Sequence, residues 1–398
     1  MEPIYITGAG VVSAIGIGKA ETLAALQADR SGIRAIRYLK STHTDLPVGE
    51  VQLSNEELAE RLGLGDGKRY TRTALIGKLA LKEALQDAQL DGKPLDEVHF
   101  ISGTTVGGMD RREQVHAQEP GCGREIAEIA THNCASCTEL IADGLGDFAS
   151  MATVSTACSS ATNAIITGAN MLRCGMADIV VVGGAECLSL FHLNGFNALM
   201  ILDHQPCRPF DRDRAGLNLG EGAAFLVLET AASAQQRGLK PKFVLSGYAN
   251  TCDAFHQTAS SPDGEGAFLA MKEALEMAGL SPQAIGYVNA HGTGTPNNDL
   301  SESHALRRIF GPQLPPFSST KPFTGHTTSA SGSIEAVFCL LAMRNGFIPA
   351  NLNWSQPIEE GLVPVTATRE AGLEHVLCNA FGFGGNDSSL LFSKPEGR

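Results

Sequence analysis

The sequence predicts an α/β protein made of two similar halves. Short β-rich apolar runs alternate with longer apolar-periodic helical runs, a pattern typical of buried, mainly parallel sheets covered by helices. The segment LKEALQDAQL at residues 81–90 resembles MKEALEMAGL at residues 271–280, and each precedes a proline-containing linker, a strand and a Gly-Thr turn. A second helical run, ending at Gly175, has a counterpart ending at Gly346. Two matches in the same order favour an internal duplication.

The boundary between the halves is expected near residues 231–241, which gives predicted domains of residues 1–235 and 236–398. With 43% hydrophobic and 18% charged residues, the chain can bury an ample core. Its net charge of −13 argues against nucleic-acid binding. No apolar run reaches the roughly 18 residues of a membrane span. Ten cysteines without regular spacing, and no signal-like start, predict a cytoplasmic protein.

The first elements are a strand at residues 4–7 and a glycine-containing turn at Gly8 and Gly10. This pair suggests a dinucleotide-binding loop, but Ser13 occupies the third glycine position and no acidic residue closes a second strand. A tight structural turn is therefore preferred over a nicotinamide site. A helix is predicted over residues 71–90, followed by a strand at residues 98–102.

Residues 110–147 are polar and punctuated by glycine, which predicts a cap or a dimer-facing excursion. They include a lone CxxC motif at Cys134 and Cys137, with Cys122 and His132 nearby. Because no second CxxC pair accompanies it, we predict no metal site here.

The strongest candidate for chemistry is Cys158. An apolar approach at residues 151–154 leads to this cysteine among small residues, and an apolar-periodic run follows over residues 161–174. This is the layout of a strand, a tight turn and a helix, whose free amide groups and dipole favour a thiolate. Cys158 is thus a candidate nucleophile, the alternative being an ordinary buried thiol.

Two of the eleven histidines, His291 and His326, lie at turns beside apolar strands or helices, where catalytic groups are often presented. If the halves are duplicates, the helix that matches the Cys158 helix begins near His326. Pseudo-twofold packing would then bring both helix starts to a shared cleft, with the turn at Gly292 on the same face. A third glycine-rich turn, at residues 379–387, precedes the last strand.

Four motifs carry a family resemblance: STACSS around Cys158, NAHGTGT around His291, STKPFTGH ending at His326, and FGFGG from Phe381. Together they resemble the 3-oxoacyl-acyl-carrier-protein synthases of the Cys-His-His type, and the resemblance covers residues 4–393. It implies the thiolase-like fold, a duplicated αβαβα arrangement in five layers. It also implies a homodimer, or a heterodimer with a homologous subunit.

The resemblance implies a decarboxylative Claisen condensation. Cys158 would take an acyl chain from its carrier as a thioester, with the backbone amides of Cys158 and Phe383 as the oxyanion hole. His291 and His326 would stabilise the enolate formed when malonyl-carrier loses carbon dioxide, giving a 3-oxoacyl product. The substrates travel on the phosphopantetheine of acyl carrier protein, so that no separate cofactor and no metal are expected.

Further residues follow from the same motifs. Lys321 would set the electrostatics of the cleft, and Glu335 would support it. The remaining expectations are a substrate-binding pair (Thr293, Thr295), acyl-pocket walls (Val106, Phe196) and a basic patch that docks the acidic carrier (Lys68, Arg69, Arg72). The alternatives are a surface lysine for Lys321, ordinary core residues for the walls, and merely solvated charges for the patch.

The chain departs from the family pattern at three places: Pro322, the polar run TTSAS at residues 327–331, and Asn386-Asp387 in place of Thr-Asn. These changes border the predicted cleft and suggest an unusual acyl chain, as in a polyene, polyketide or secondary lipid pathway. Two other functions are less consistent with the sequence. A silent chain-length partner usually lacks the cysteine, and a non-decarboxylating thiolase needs a second cysteine in a C-terminal Cys-Gly-Gly turn.

Overall fold

The computed structural model describes residues 2–65, 67–118, 131–359 and 362–395, and the side chains of residues 68 and 114–118 lie outside this description. The strands are β1 Ile4–Ser13, β2 Gly16–Ile17, β3 Val98–Gly103, β4 Ser150–Val154, β5 Ile179–Glu186, β6 Gly222–Thr230, β7 Phe243–Cys252, β8 Tyr287–Asn289, β9 Phe317–Ser318, β10 Phe347–Ile348, β11 Arg369–Glu370, β12 His375–Gly382 and β13 Asn386–Ser393. The α-helices are α1 Lys19–Gln27, α2 Asn55–Leu62, α3 Arg72–Asp87, α4 Met109–Gln118, α5 Cys134–Ala142, α6 Ser160–Arg173, α7 Leu190–Ala198, α8 Ala231–Gln236, α9 Glu265–Ala278, α10 Pro296–Phe310, α11 Lys321–Thr324 and α12 Ser331–Asn345.

Among the described residues, eleven strands form one continuous sheet with two matching parts. The order is β4-β3-β5-β6-β1 in the first part and β7-β13-β12-β8-β9 in the second, and β2 pairs with β1. The parts join where β1 pairs with β7 in antiparallel register, Ile4 facing Leu245. In each part four strands run in the same direction and one, β6 or β13, runs opposite between two of them. The strands are therefore mainly parallel in direction, as expected, but half of the pairings within each part are antiparallel. The turn between β12 and β13 shows why, since three residues cannot form a parallel crossover.

Helices separate the layers. Helix α3 packs on the outer face of β1 and β6, and α9 packs in the same way on β7 and β13. Helices α6 and α12 lie side by side between the two parts of the sheet, with Ile165 and Phe338 fully buried in one shared apolar cluster. This arrangement confirms the predicted duplicated αβαβα fold class.

Glycines allow the outer helices to approach the sheet. A Cβ added at Gly8 or Gly10 in β1 would overlap backbone atoms of α3, including the carbonyl oxygen of Ala80 for Gly10. A Cβ at Gly247 in β7 would overlap the carbonyl oxygen of Ala274 in α9 in the same way. The predicted turn at Gly8 and Gly10 is therefore wrong, because these glycines lie within β1 and serve close helix packing.

The repeated segments fall on equivalent elements. Residues 81–90 include the end of α3, and residues 271–280 include the end of α9. The boundary between residues 235 and 236 falls in the short helix α8 between β6 and β7, and the domain division stays a prediction. Cys134 and Cys137 lie on α5, whereas Cys122 lies outside the described residues. Within the described ranges, no helix is long and apolar enough to cross a membrane.

We expect Gly10→Ala to lower the free energy of unfolding by about 1–3 kcal/mol, because α3 must move away from β1 to admit the methyl group. Gly372→Ala is the matched control, since a Cβ at that position meets nothing within 4 Å and should change stability by less than about 0.5 kcal/mol. Urea unfolding followed by circular dichroism measures both. Equal stability of the two variants would contradict the close packing of α3.

Candidate active site

Cys158 lies in a tight turn between β4 and α6. Ala157 has a φ of +52°, a left-handed conformation that is rare outside glycine and often found where a backbone presents a reactive side chain. The Ser160 hydroxyl accepts a hydrogen bond from the Thr156 amide at 2.9 Å and donates one to the Ala157 carbonyl at 2.7 Å. This turn places the buried Cys158 at the start of α6.

His326 contacts the cysteine directly. Its Nε2 lies 3.1 Å from Cys158 Sγ, and both residues are buried. The backbone of His326 is held on both sides, since its amide donates to the Asn218 carbonyl and its carbonyl accepts from the Gly220 amide. Because α6 and α12 pack together, the segment that leads into each helix presents one member of the pair.

The other ring nitrogen of His326 contacts a hydroxyl group. Nδ1 lies 2.9 Å from Ser331 Oγ, and Ser331 Oγ lies 3.2 Å from Thr327 Oγ1. Both hydroxyl residues belong to the polar run at residues 327–331 and are buried. From the sequence, this run was expected to border the cleft, and its contact with His326 was not predicted.

His291 is positioned by a buried carboxylate. Glu302 accepts hydrogen bonds from the amides of His291 at 2.9 Å and Gly292 at 2.8 Å. Asn379 donates to the same carboxylate at 3.1 Å. The His291 ring faces the His326 ring edge to face, with centroids 5.4 Å apart. The two histidines thus lie side by side next to the thiol.

Lys321 lies behind His291. Its Nζ is 2.7 Å from Glu335 Oε1 and 3.3 Å from His291 Nδ1, and it also donates to the His291 carbonyl. Both side chains of the ion pair are buried. An ammonium group can only donate, so His291 Nδ1 must accept. His291 therefore carries its proton on Nε2.

The site holds neutral histidines. Burial, and after it the charge of Lys321, lowers the pKa of His291 and of His326 well below the ordinary value. Each neutral ring has one donor and one acceptor nitrogen and can stabilise an oxyanion as a hydrogen-bond donor.

The thiol is also neutral at pH 7. Burial raises the pKa of Cys158 to about 11, although Lys321 and the backbone amides of Phe383 and Cys158 lower it. The expected stabilisation of a thiolate by the helix start is thus outweighed by desolvation.

Phe383 lies in the turn between β12 and β13. Its backbone amide and that of Cys158 both lower the pKa of the Cys158 thiol, so these two donors lie beside the sulfur, where an oxyanion hole requires them. Gly384 and Gly385 follow with φ values of +86° and +76°, which a side chain would strain. The Phe383 ring stacks on Phe196, with centroids 5.8 Å apart.

An open cleft leads from the surface to these groups. Cys158, His291 and His326 line its inner end. Thr293 and Thr295 line one wall, and their hydroxyls lie 2.9 Å apart. The other lining residues include Phe196, Leu217, Thr258, Asn297, Phe381 and Phe383.

The two predicted acyl-pocket walls differ in position. Phe196 lines the cleft, whereas Val106 is buried in the loop after β3 and is not among the residues that line it. The Val106 amide donates to the buried carboxylate of Glu186 at 3.3 Å, and Ser329 donates to the same carboxylate at 2.6 Å.

The basic patch does not form as expected. Arg72 is buried and its guanidinium pairs with Glu221 at 2.5 Å while also donating to backbone carbonyls of residues 51 and 53. It cannot face an acidic carrier, and its place in the predicted docking patch is wrong. Arg69 is exposed and pairs with Asp143. The side chain of Lys68 lies outside the described residues.

Three contacts were missed from sequence. Glu302 lies on α10, whose polar buried positions at Asp299, Glu302 and Ser303 are a detectable signal that this helix binds backbone amides. Asn386 Oδ1 accepts hydrogen bonds from Ser159 at 2.7 Å and Asn163 at 2.6 Å, tying β13 to the start of α6. The third is the Ser331 hydroxyl, for which the polar run was the signal.

Comparison with known proteins agrees with this geometry. Residues 1–234 match the family described as Beta-ketoacyl synthase, N-terminal domain, and residues 243–355 match Beta-ketoacyl synthase, C-terminal domain. The chain is 32% identical to 3-oxoacyl-[acyl-carrier-protein] synthase 2 of Staphylococcus aureus strain N315 over 99% of its length and 98% of the relative's. It is 34% identical to the protein of the same name from Synechocystis, with the same coverage.

A solved structure, the ishigamide ketosynthase/chain length factor, matches with a TM-score of 0.90 and 30% identity over 99% of both chains. The same family is indicated by three findings: two family matches in tandem, relatives above 30% identity over nearly full length, and a shared fold. The chain belongs to the beta-ketoacyl synthase family.

Proposed function

We propose that Cys158, His291 and His326 are the catalytic residues with which this acyltransferase performs a decarboxylative Claisen condensation. The reaction joins an acyl chain to malonyl-acyl carrier protein and yields 3-oxoacyl-acyl carrier protein, carbon dioxide and free carrier, as in fatty acid or polyketide synthesis. The observation that carries the assignment is the 3.1 Å contact between Cys158 Sγ and His326 Nε2, with His291 beside it at the inner end of the cleft.

In the first half-reaction the Cys158 sulfur attacks the thioester carbonyl of the acyl-carrier. His326 Nε2 accepts the thiol proton, and the amides of Cys158 and Phe383 hold the oxyanion. The bond to the carrier sulfur then breaks, and this sulfur takes the proton from His326. The acyl chain is now a thioester on Cys158.

In the second half-reaction the malonyl group loses carbon dioxide, and the electrons of the broken C–C bond form an enolate. The Nε2–H groups of His291 and His326 donate to its oxygen. The enolate carbon attacks the Cys158 thioester, a C–C bond forms, and the C–S bond to Cys158 breaks. One proton from water restores the thiol.

The cleft fits a substrate carried on a phosphopantetheine arm. Its inner end holds the reacting groups, and the paired hydroxyls of Thr293 and Thr295 offer hydrogen bonds to the arm or to the malonyl group. The proposal therefore includes no cofactor besides the phosphopantetheine arm of acyl carrier protein, which carries the substrates.

The carrier is proposed to dock near the mouth of the cleft. Arg214 donates to the Pro296 carbonyl at this mouth, and the neighbouring Arg212 has a side chain 61% exposed. Arg212 pairs with Asp213, and the predicted docking residue Arg69 pairs with Asp143, so an acidic partner would compete with these carboxylates for the two guanidinium groups.

A homodimer is part of the proposal, with a homologous partner as the alternative. Strand β4 is an edge strand whose residues 150–152 are exposed, and an uncovered edge is a template for pairing with a second chain. The relative with the 0.90 TM-score is itself a ketosynthase/chain length factor structure. A cytoplasmic location is also proposed, supported by free thiols at each cysteine of the described ranges.

The competing functions fit less well. A silent chain-length subunit has no use for the buried contact between Cys158 and His326. A thiolase would place a second cysteine in the turn after β12, where this chain has Phe383.

Cys158→Ala should abolish condensation, while His291→Ala and His326→Ala should each slow malonyl-carrier decarboxylation by about 100-fold or more through loss of an oxyanion donor. Intact-mass spectrometry of the acyl adduct and release of carbon dioxide measure the two half-reactions separately. Cys174→Ala, at an exposed cysteine, is the control and should behave as the wild type. Chain elongation by Cys158→Ala would rule out the mechanism.

Alkylation of Cys158 by iodoacetamide should accelerate about tenfold per pH unit from pH 7 to 10 without a plateau. The reason is that its pKa of about 11 leaves the thiolate a minor form throughout this range. A model peptide with one cysteine, whose thiol has a pKa of about 8.5, is the reference and should level off at about pH 9.5. A Cys158 plateau below pH 8 would indicate a thiolate–imidazolium pair instead.

Lys321→Met should destabilise the protein by about 3–5 kcal/mol, because it leaves the Glu335 carboxyl buried without its cation. Adding Glu335→Gln should recover much of this loss while decarboxylation stays impaired. Urea unfolding of the two single variants and the double variant measures the coupling free energy between Lys321 and Glu335. Additive losses in the double variant would show that the two side chains act independently.

A further inference from the structure

The two catalytic histidines have different kinds of partner on the nitrogen that faces away from the cleft. His291 Nδ1 faces the Lys321 ammonium at 3.3 Å, whereas His326 Nδ1 faces the Ser331 hydroxyl at 2.9 Å. An ammonium only donates, but a hydroxyl both donates and accepts. His291 is therefore held in one tautomer, and His326 is not.

The hydroxyl chain behind His326 offers two complete arrangements. In the first, Thr327 donates to Ser331, Ser331 donates to His326 Nδ1, and the proton of the ring is on Nε2. In the second, His326 Nδ1 donates to Ser331, Ser331 donates to Thr327, and Nε2 is free to accept. The distances of 2.9 Å and 3.2 Å allow hydrogen bonds in either direction.

We infer that Ser331, backed by Thr327, is a positioning residue that lets His326 alternate between the two tautomers. The inference rests on the proposed function, whose half-reactions need opposite forms of the same nitrogen. Acyl transfer needs Nε2 as the acceptor of the Cys158 thiol proton. Enolate stabilisation needs Nε2–H as a donor.

Because the site is buried, the hydroxyl group beside His326 Nδ1 affects the stability of each tautomer. Ser331, Thr327 and the His326 ring are nearly inaccessible to water, so a ring nitrogen without a protein partner would bear a desolvation penalty. The Thr327–Ser331 pair removes that penalty for both tautomers. The polar run that replaces the family's apolar segment thus acts on the catalytic histidine itself.

The variant Thr327→Val distinguishes the two tautomers of His326, because it removes the hydroxyl that only one of them needs as an acceptor. In this variant the Ser331 hydroxyl can still donate to His326 Nδ1. When the Ser331 hydroxyl instead accepts from Nδ1–H, its own proton has lost the Thr327 hydroxyl as acceptor. The variant should therefore favour the Nε2–H tautomer. Formation of the Cys158 thioester should slow by about tenfold or more, while malonyl-carrier decarboxylation should stay within about twofold of wild type.

Ser331→Ala removes the partner for both forms and should slow both half-reactions by about 10- to 100-fold. Ser331→Thr keeps the hydroxyl and should restore both rates at least in part. Ser333→Ala is the matched control, because the Ser333 hydroxyl lies in the same buried helix turn but donates to the Ala330 carbonyl at 3.1 Å. It should leave both rates near wild type.

A direct readout is the ¹⁵N spectrum of histidine-labelled protein, with the His326 signals assigned by their loss in His326→Gln. Wild type should show averaged shifts from two tautomers, and Thr327→Val should show one. Equal slowing of both half-reactions by Thr327→Val, or a single wild-type tautomer, would overturn the inference. If wild type neither forms the thioester nor releases carbon dioxide, the proposed function itself fails.

Discussion

The site depends on the packing of two interior helices against each other. Helices α6 and α12 lie between the two parts of the sheet, and the segments that lead into them place Cys158 and His326 at the inner end of the cleft. Their apolar faces share one core cluster, which leaves little freedom for either start to move. The 3.1 Å contact between Cys158 and His326 is thus set by burial of apolar side chains far from the reacting atoms.

Burial also sets the protonation of the site. Desolvation favours the neutral form of every titratable group, and it raises the pKa of Cys158 while lowering that of His291 and His326. Lys321 lowers all three of these pKa values. A neutral thiol beside neutral histidines results, so the nucleophile must lose its proton during the reaction rather than before it.

The sequence predicted the residues whose role follows from a local motif. It did not predict the contacts that join segments far apart in the chain. The duplication could be predicted from two repeated segments, and the turn at Cys158 from the small residues around it. The burial of Arg72 could not be predicted, because the local sequence at a helix start is the same whether its arginine is exposed or buried. The partner that buries it, Glu221, lies 149 residues away in the chain. Gly10 was misread as a turn because the helix that requires it, α3, approaches only in the folded chain.

A duplicated fold supplies a symmetric frame, yet the chemistry on it needs asymmetry. One half contributes the nucleophile and the other contributes both histidines, and these two rings differ in the partner behind them. The ammonium of Lys321 makes His291 a donor throughout, while the hydroxyl of Ser331 permits either direction at His326. A fixed donor suits one task, the stabilisation of negative charge. A histidine that must accept a proton from Cys158 and later donate to an enolate needs a partner that can reverse, and a serine hydroxyl at 2.9 Å is such a partner.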